Sequence, residues 1–268
     1  MKNAFSLEEK VAVVTGALGL LGKHHCEGLN EAGASVIAAD INGEECAIYA
    51  QNKLKKSIGA QLDVTSKVSI NNLLNQVMEQ FGRIDILVNN AAINDMFENP
   101  NAALEQSKFE NYPLELWQRS IDVNLTGVFL CSQIIGPQMV KQKSGSIINI
   151  ASTYGITAPN QSIYKDPSGN QIFYKPPAYS VTKSGVIMLT RYLAAYWGNL
   201  GIRVNALSPG GVQNGQAEYF LENYSQNTPL GRMAHPTDYR GAVVFLASDA
   251  SAYMTGANLV VDGGWTCW

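Results

Sequence analysis

The sequence predicts an α/β fold, a doubly wound parallel sheet with helices on both faces, and three observations predict it. Short β-branched runs alternate with longer amphipathic stretches along the whole chain. The runs are almost continuously apolar, as suits strands covered on both faces. The first run passes through a glycine-spaced turn into a helical stretch, the local form of a nucleotide-binding βα unit.

Taken in order, the strand candidates are "KVAVVTG" (10–16), "ASVIAAD" (34–40), "RIDILVNNA" (83–91), "GSIINIAS" (145–152), "IRVNALS" (202–208) and "NLVVDGG" (258–264). Helical periodicity covers 20–32, 44–57, 67–81, 114–140, 179–199 and 237–247 between them. Right-handed crossovers then place the strands parallel in one sheet. No repeat, low-complexity tract or linker divides the chain, so residues 1–268 read as one Rossmann-type domain. Two stretches break the rhythm, 94–113 and 155–177. Loops of that length inside a compact domain are usually lids or binding loops.

Composition narrows the function classes. The chain is 46% hydrophobic and 15% charged with a net charge of −3, so neither nucleic acid nor an anionic membrane surface is an expected partner. No unbroken run of about 18 apolar residues occurs, Arg191 interrupting the richest one, so no membrane span is expected. The opening "MKNAFSLEEK" carries acids where a secretion signal has its apolar centre. Cys26, Cys46, Cys131 and Cys267 stand far apart without a CxxC, and with three scattered histidines they make no metal spacing. Reduced thiols and a cytoplasmic location follow as expectations, with no metal.

The glycines of "TGALGLLG" (15–22) follow a strand and open a helix. In such a site glycine permits the tight turn and close backbone approach to a diphosphate, while the helix start offers free N–H groups and a positive dipole end. Gly16, Gly19, Leu20, Leu21 and Gly22 form the expected cradle. Glycines alone would serve helix–strand packing equally well. Asp40, however, ends the second strand 18 residues after Gly22, with Ile41 beside it, where an acid accepts from the adenosine ribose hydroxyls. That carboxylate repels a 2′-phosphate, and no Lys or Arg follows until Lys53, so NAD is expected rather than NADP.

Further motifs arrive in a set order: "DV" (63–64), "NNAA" (89–92), "DVNLTG" (122–127), "INIAS" (148–152), "YSVTK" (179–183), "SPGGV" (208–212) and "YMTGANLVVDGG" (253–264). From about residue 10 to its end the chain thereby resembles the short-chain dehydrogenase/reductase family. The resemblance implies that Asp63 and Val64 contact adenine and that Asn90, Ala91 and Ala92 line the cofactor groove. It also implies that Pro209, Gly210 and Val212 flank the nicotinamide. Asn124, Ser152, Tyr179 and Lys183 fall on the family's catalytic tetrad. A homotetramer, or a dimer, and a small-molecule substrate are implied as well.

Two departures stand out. Classical members carry TGxxxGxG, whereas Leu20 occupies the second slot here and Gly19 gives TGxxGxxG, a spacing associated with extended members; the other motifs look classical. Ser152 and Tyr179 are also 27 positions apart, about twice the family's usual spacing, so an insertion separates two catalytic positions.

Tyr179 and Lys183 are four residues apart, hence on one helical face, with Pro176 and Pro177 marking the helix start. A tyrosine ordinarily titrates at about 10, and bringing it to neutrality, roughly 3 pKa units, takes about 4 kcal/mol of phenolate stabilisation. In the implied scheme Lys183 and the nicotinamide's positive charge supply this, Lys183 also binds the nicotinamide ribose, Tyr179 exchanges the proton, Ser152 holds the substrate oxygen and Asn124 positions Lys183 through water. Within the insert, "DPSG" signals a turn, so 163–175 reads as a hairpin that offers Tyr164, Lys165, Tyr174 and Lys175 either to a polar or anionic, sugar-like substrate or to solvent. The chain is also similar to dehydrogenases assigned to surface-carbohydrate or flagellin modification. Three functions follow: an NAD-dependent alcohol dehydrogenase or ketone reductase, an epimerase or dehydratase that retains NAD, and a non-catalytic NAD-binding protein.

Overall fold

Val11–Thr15 (β1) is buried along its whole length and lies inside a seven-stranded sheet. The other strands are Ser35–Asp40 (β2), Ile58–Gln61 (β3), Ile86–Asn89 (β4), Gly145–Ile150 (β5), Ile202–Pro209 (β6) and Asn258–Val261 (β7). Their order is β3-β2-β1-β4-β5-β6-β7 and every pairing is parallel. The computed structural model describes residues 3–94 and 103–268.

Strand alternation sorts the core into two layers. Val11 and Val13 face the layer formed by Lys67–Phe81 (α3), Gly127–Gln142 (α6) and Pro177–Trp197 (α7), through Leu73, Ile135 and Leu193 among others. Ala12 and Val14 face the opposite layer, where Leu29 of Leu20–Glu31 (α1) and Leu246 of Arg240–Ala247 (α9) pack. A strand covered on both faces has no use for polar positions, which explains the continuous apolar runs. The sheet order reverses between β1 and β4. A crevice therefore opens there at the strands' carboxyl ends, the usual place for a ligand in such sheets.

Three elements escaped the sequence reading: the edge strand β3, the short helix Ala103–Ser107 and the helix Glu218–Gln226. β3 is a four-residue edge strand containing Gly59, too short to show periodicity. Gly43–Lys53 (α2) crosses so close to it that a Cβ on Gly59 would lie 2.0 Å from the Cys46 carbonyl carbon. Glu218–Gln226 follows a polar, glycine-containing stretch and carries only nine residues of pattern. The break at 94–113 contains Ala103–Ser107 (α4) and a 3₁₀ turn, while its portion 95–102 lies outside the described residues. The helix after it, Leu114–Ile121 (α5), runs through a π turn into α6; Glu218–Gln226 is α8. The combined stretch Leu114–Gln142 is long and apolar enough in composition to cross a membrane, but half of its most apolar window is buried. Its Cys131, Ile135 and Met139 belong to the core against the sheet.

Candidate active site

The crevice is a cleft of about 1470 Å³ along the carboxyl ends of the strands. At one end β1 delivers the glycine turn. Gly16 takes φ +63°, and a Cβ there would sit 2.7 Å from Ala91 Cα. Asn90 fixes the turn by donating from Nδ2 to the carbonyls of Thr15 (3.0 Å) and Gly16 (2.9 Å). Gly19 is the N-cap of α1, without a side-chain cap and with no acid in the first turn. The dipole end and its N–H groups therefore stay available to an anion. Leu20 and Leu21 line the cleft there. Gly22 does not line it, contrary to expectation: it is buried beneath the turn, where a Cβ would lie 2.1 Å from the Gly16 oxygen. Its role is to let helix and strand touch.

Asp40, at the end of β2, accepts from Leu18 N (3.0 Å) and Ile41 N (2.7 Å). Two of a carboxylate's four acceptor positions are thereby used, tying the acid to the turn, and the rest remain for a ligand. Ile41, Asp63, Val64, Asn90, Ala91 and Ala92 line the same end, and Pro209, Gly210 and Val212 line the other. The residues fit a dinucleotide: a glycine cradle that a Cβ would fill, an uncapped helix start and an acid one strand away.

Tyr179 and Lys183 reach the middle of the cleft from the first turns of α7, and Ser152 from the end of β5. Ser152 Oγ accepts from Tyr154 N (3.1 Å), which leaves its own proton to donate. Lys183 Nζ donates to the Ile150 carbonyl (2.7 Å) and lies 5.8 Å from the Tyr179 ring centroid. Burial brings the Lys183 ammonium down to about 8. Burial pushes the Tyr179 phenol above its ordinary value, offset in part by its hydrogen bond with Ser152.

Asn124 lies deeper than the other three. It sits buried in the π turn Asp122–Thr126, behind the cleft wall. Its Oδ1 accepts from Ile93 N (2.8 Å) and its Nδ2 donates to Ile93 O (3.0 Å), so the amide holds the strand-end loop after β4. A buried amide needs both its donor and its acceptor satisfied, and one peptide unit does this. The π turn itself, a geometry frequent at functional sites, was not legible in the sequence.

A family model described as enoyl-(acyl carrier protein) reductase matches residues 16–266. The chain belongs to the short-chain dehydrogenase/reductase family. Within that family it is 33% identical to an NAD-dependent glycerol dehydrogenase of Listeria innocua, over 98% of this chain and 96% of that one. It is 35% identical to the post-translational flagellin modification protein A of Campylobacter coli, over 97% and 99%. A crystal structure of a gluconate 5-dehydrogenase from Burkholderia cenocepacia, in complex with NADP and tartrate, superposes with a TM-score of 0.86 at 30% identity, over 99% and 98%. As a short-chain dehydrogenase/reductase the chain is an oxidoreductase on CH–OH donors that uses a nicotinamide cofactor.

The insertion in this family member does form a hairpin, closed by a Lys165–Gln171 bridge with Ile172 N donating to Tyr164 O (3.1 Å). Of its four candidate side chains, Lys175 lines the cleft and Lys165 is exposed away from it. Tyr174 anchors the strand through its N–H to Ser107 Oγ (2.9 Å) and does not line the cleft. Tyr164 lines the cleft wall but is buried, its hydroxyl 3.2 Å from that of Tyr154 and its ring 4.5 Å from Phe173. It supports the wall more than it offers itself to a ligand. The sequence reading also missed a buried amide chain beneath the site. Asn89 Nδ2 donates to Asn149 Oδ1 (2.8 Å), whose Nδ2 donates to Thr190 Oγ1 (2.9 Å), locking α7 to β4 and β5.

Proposed function

We propose that this chain is an NAD-dependent dehydrogenase that interconverts a secondary alcohol and a ketone on a polyol or sugar-like substrate. One observation carries the reading: Ser152, Tyr179 and Lys183 meet in the middle of a cleft whose far end holds the glycine turn and Asp40. Bound NAD supplies a hydride acceptor at its nicotinamide, and NADH returns the hydride in reduction. Tyr179 exchanges the proton with the substrate oxygen, and Ser152, whose hydroxyl lies against the Tyr179 phenol, holds that oxygen in place. Lys183, fixed on the Ile150 carbonyl, would hold the nicotinamide ribose when the cofactor is bound. Asn124 acts one step back, by holding Ile93 against the cleft wall. Since burial keeps the Tyr179 phenol protonated, ketone reduction starts from the required state and alcohol oxidation speeds up as pH rises.

Asp40 and the absence of Lys or Arg between it and Lys53 support NAD over NADP, because a 2′-phosphate there would meet a carboxylate. The glycerol dehydrogenase relative supports a polyol-like substrate. We also propose a homo-oligomer, a tetramer or a dimer, in the cytoplasm. Val181, Met188, Tyr192 and Tyr196 expose an apolar face of α7, and the buried Cys26, Cys46 and Cys131 are free thiols.

The test is turnover of glycerol, D-threitol and D-gluconate by purified protein with NAD or NADP, followed by NADH or NADPH absorbance. Tyr179→Phe is expected to lower kcat at least about 100-fold while NAD affinity stays within about threefold. Asp40→Ser should shift the NAD/NADP preference in kcat/KM toward NADP. Unchanged turnover in Tyr179→Phe, or calorimetry without NAD uptake, overturns the reading; product without net NADH would favour an epimerase.

A further inference from the structure

Lys175 belongs to the insertion, and its backbone is held from both sides. Gln161 Oε1 accepts from Lys175 N (2.8 Å), and Gln161 Nε2 donates to Lys175 O (3.3 Å). Pro176 and Pro177 then fix the chain into α7. So placed, Lys175 Nζ stands 4.3 Å from the centroid of the Tyr179 ring and donates to Asn94 Oδ1 at 3.1 Å. The only other ammonium on that ring is Lys183, among the described residues.

Among the described residues the ammonium has no carboxylate partner: none lies within 4.0 Å of Lys175 or Lys183, and the one polar partner of Lys175 Nζ is a neutral amide. Charges withdrawn from water are stable when paired, and an unpaired one is costly. Lys175 is half-buried, and burial, with the charge of Lys183 second, brings it down to about 8. The hairpin, the Gln161 clamp and the two prolines nevertheless keep it at the substrate end of the cleft, one aromatic ring away from the phenol oxygen.

We infer that Lys175 is an anion subsite, so that the substrate carries a carboxylate or phosphate a few bonds from the carbon that reacts. This rests on the dehydrogenase reading and narrows its substrate class to acidic polyols and sugars. The anion takes no part in the redox step and serves only to place the substrate against Tyr179 and Ser152. A cation set beside the reacting centre orients the chain of hydroxyls and selects against neutral polyols of equal length.

Three probes with one carbon chain separate the sources of charge: D-gluconate, D-glucitol 6-phosphate and neutral D-glucitol. Affinity for NAD-saturated protein is measured by calorimetry, so the outcome does not depend on turnover, and kcat/KM is measured beside it. One of the two anions should bind roughly 10–100-fold better than D-glucitol. That preference should fall to about threefold or less in Lys175→Gln and persist in Lys175→Arg. Lys165→Gln, on the exposed arm of the same hairpin, should match the wild type. The inference is overturned if Lys175→Gln keeps the wild-type preference, or if the wild type binds neither anion better than D-glucitol. NAD binding in each variant reports folding. If NAD binds and the anion preference depends on Lys175 while no alcohol turns over, the dehydrogenase reading fails and the anion subsite stands. Should Lys175→Gln lose NAD binding, loss of the preference in Lys175→Met, or its retention there, decides the matter.

Discussion

His25 shows at the scale of one side chain what burial does in this molecule. It is fully buried in α1, and neither ring nitrogen has a hydrogen-bond partner among the described residues. Burial, helped by the charge of His24, pulls its pKa from 6.5 to about 3. Between those values the unfolded chain binds a proton that the folded chain refuses, so stability rises with pH across that window and is lost as pH falls. From pH 7.5 to 5 the loss assignable to His25 is about 2 kcal/mol. Urea denaturation at the two pH values should show the wild type losing that much more than His25→Leu; equal losses would mean that His25 is protonated or hydrated when folded. The same desolvation acts on Lys175 and Lys183, but those two line the cleft, where a ligand can repay it. His25 stands in α1, outside the cleft lining, and carries a standing cost.

The β1–turn–α1 unit joins sequence to site most directly, and its glycines differ in what they tolerate. A Cβ on Gly22 meets backbone at 2.1 Å and 2.9 Å, one on Gly16 meets Ala91 Cα at 2.7 Å in a left-handed conformation, and one on Gly19 meets only the Gly16 oxygen at 3.2 Å. Gly22→Ala and Gly16→Ala should therefore each cost about 1–3 kcal/mol of stability and weaken NAD binding at least about tenfold. Gly19→Ala should cost under about 1 kcal/mol, since its φ of −68° suits alanine. Denaturation and calorimetry on the three variants give the order directly, and equal effects would contradict the geometry. The unit was legible in the sequence because strand, turn and helix each left a local signal. β3 and α8 were not: β3 has only four residues, and α8 starts after a polar, glycine-containing stretch with no side-chain cap to mark it. The insertion's turn was legible in "DPSG", but the use of Lys175 was not: its position depends on Gln161, 14 residues earlier, and on packing of Tyr164 against Phe173 and Phe220. The place of Asn124 depends likewise on a loop distant in sequence.

Across the whole molecule, the two largest apolar clusters among the described residues cover the two faces of the sheet, and α7 exposes an apolar stripe on its outer side. Along α7, Val181, Met188, Tyr192 and Tyr196 recur at spacings of seven, four and four, on the side of the helix away from the sheet. Tyr192 and Tyr196 are each 63% exposed, and their rings stack at 6.0 Å. Phe129, on the neighbouring α6, adds to the exposed apolar surface. An apolar stripe of this kind is costly in water and characteristic of an interface. α7 also carries Tyr179 and Lys183 in its first turns, so covering its outer face would steady the helix that presents them. Tyr192→Glu combined with Tyr196→Glu places four negative charges across a two-fold contact between copies of this helix. Light scattering after gel filtration should find the wild type as a dimer or tetramer at micromolar concentration and the double variant shifted toward monomer, with helix content by circular dichroism unchanged. The catalytic side chains lie on the inner face, so NAD affinity in the monomeric variant should stay within about threefold of wild type, while kcat falls if the partner steadies the helix. A wild type that is monomeric at those concentrations removes the interface and leaves the stripe without an occupant.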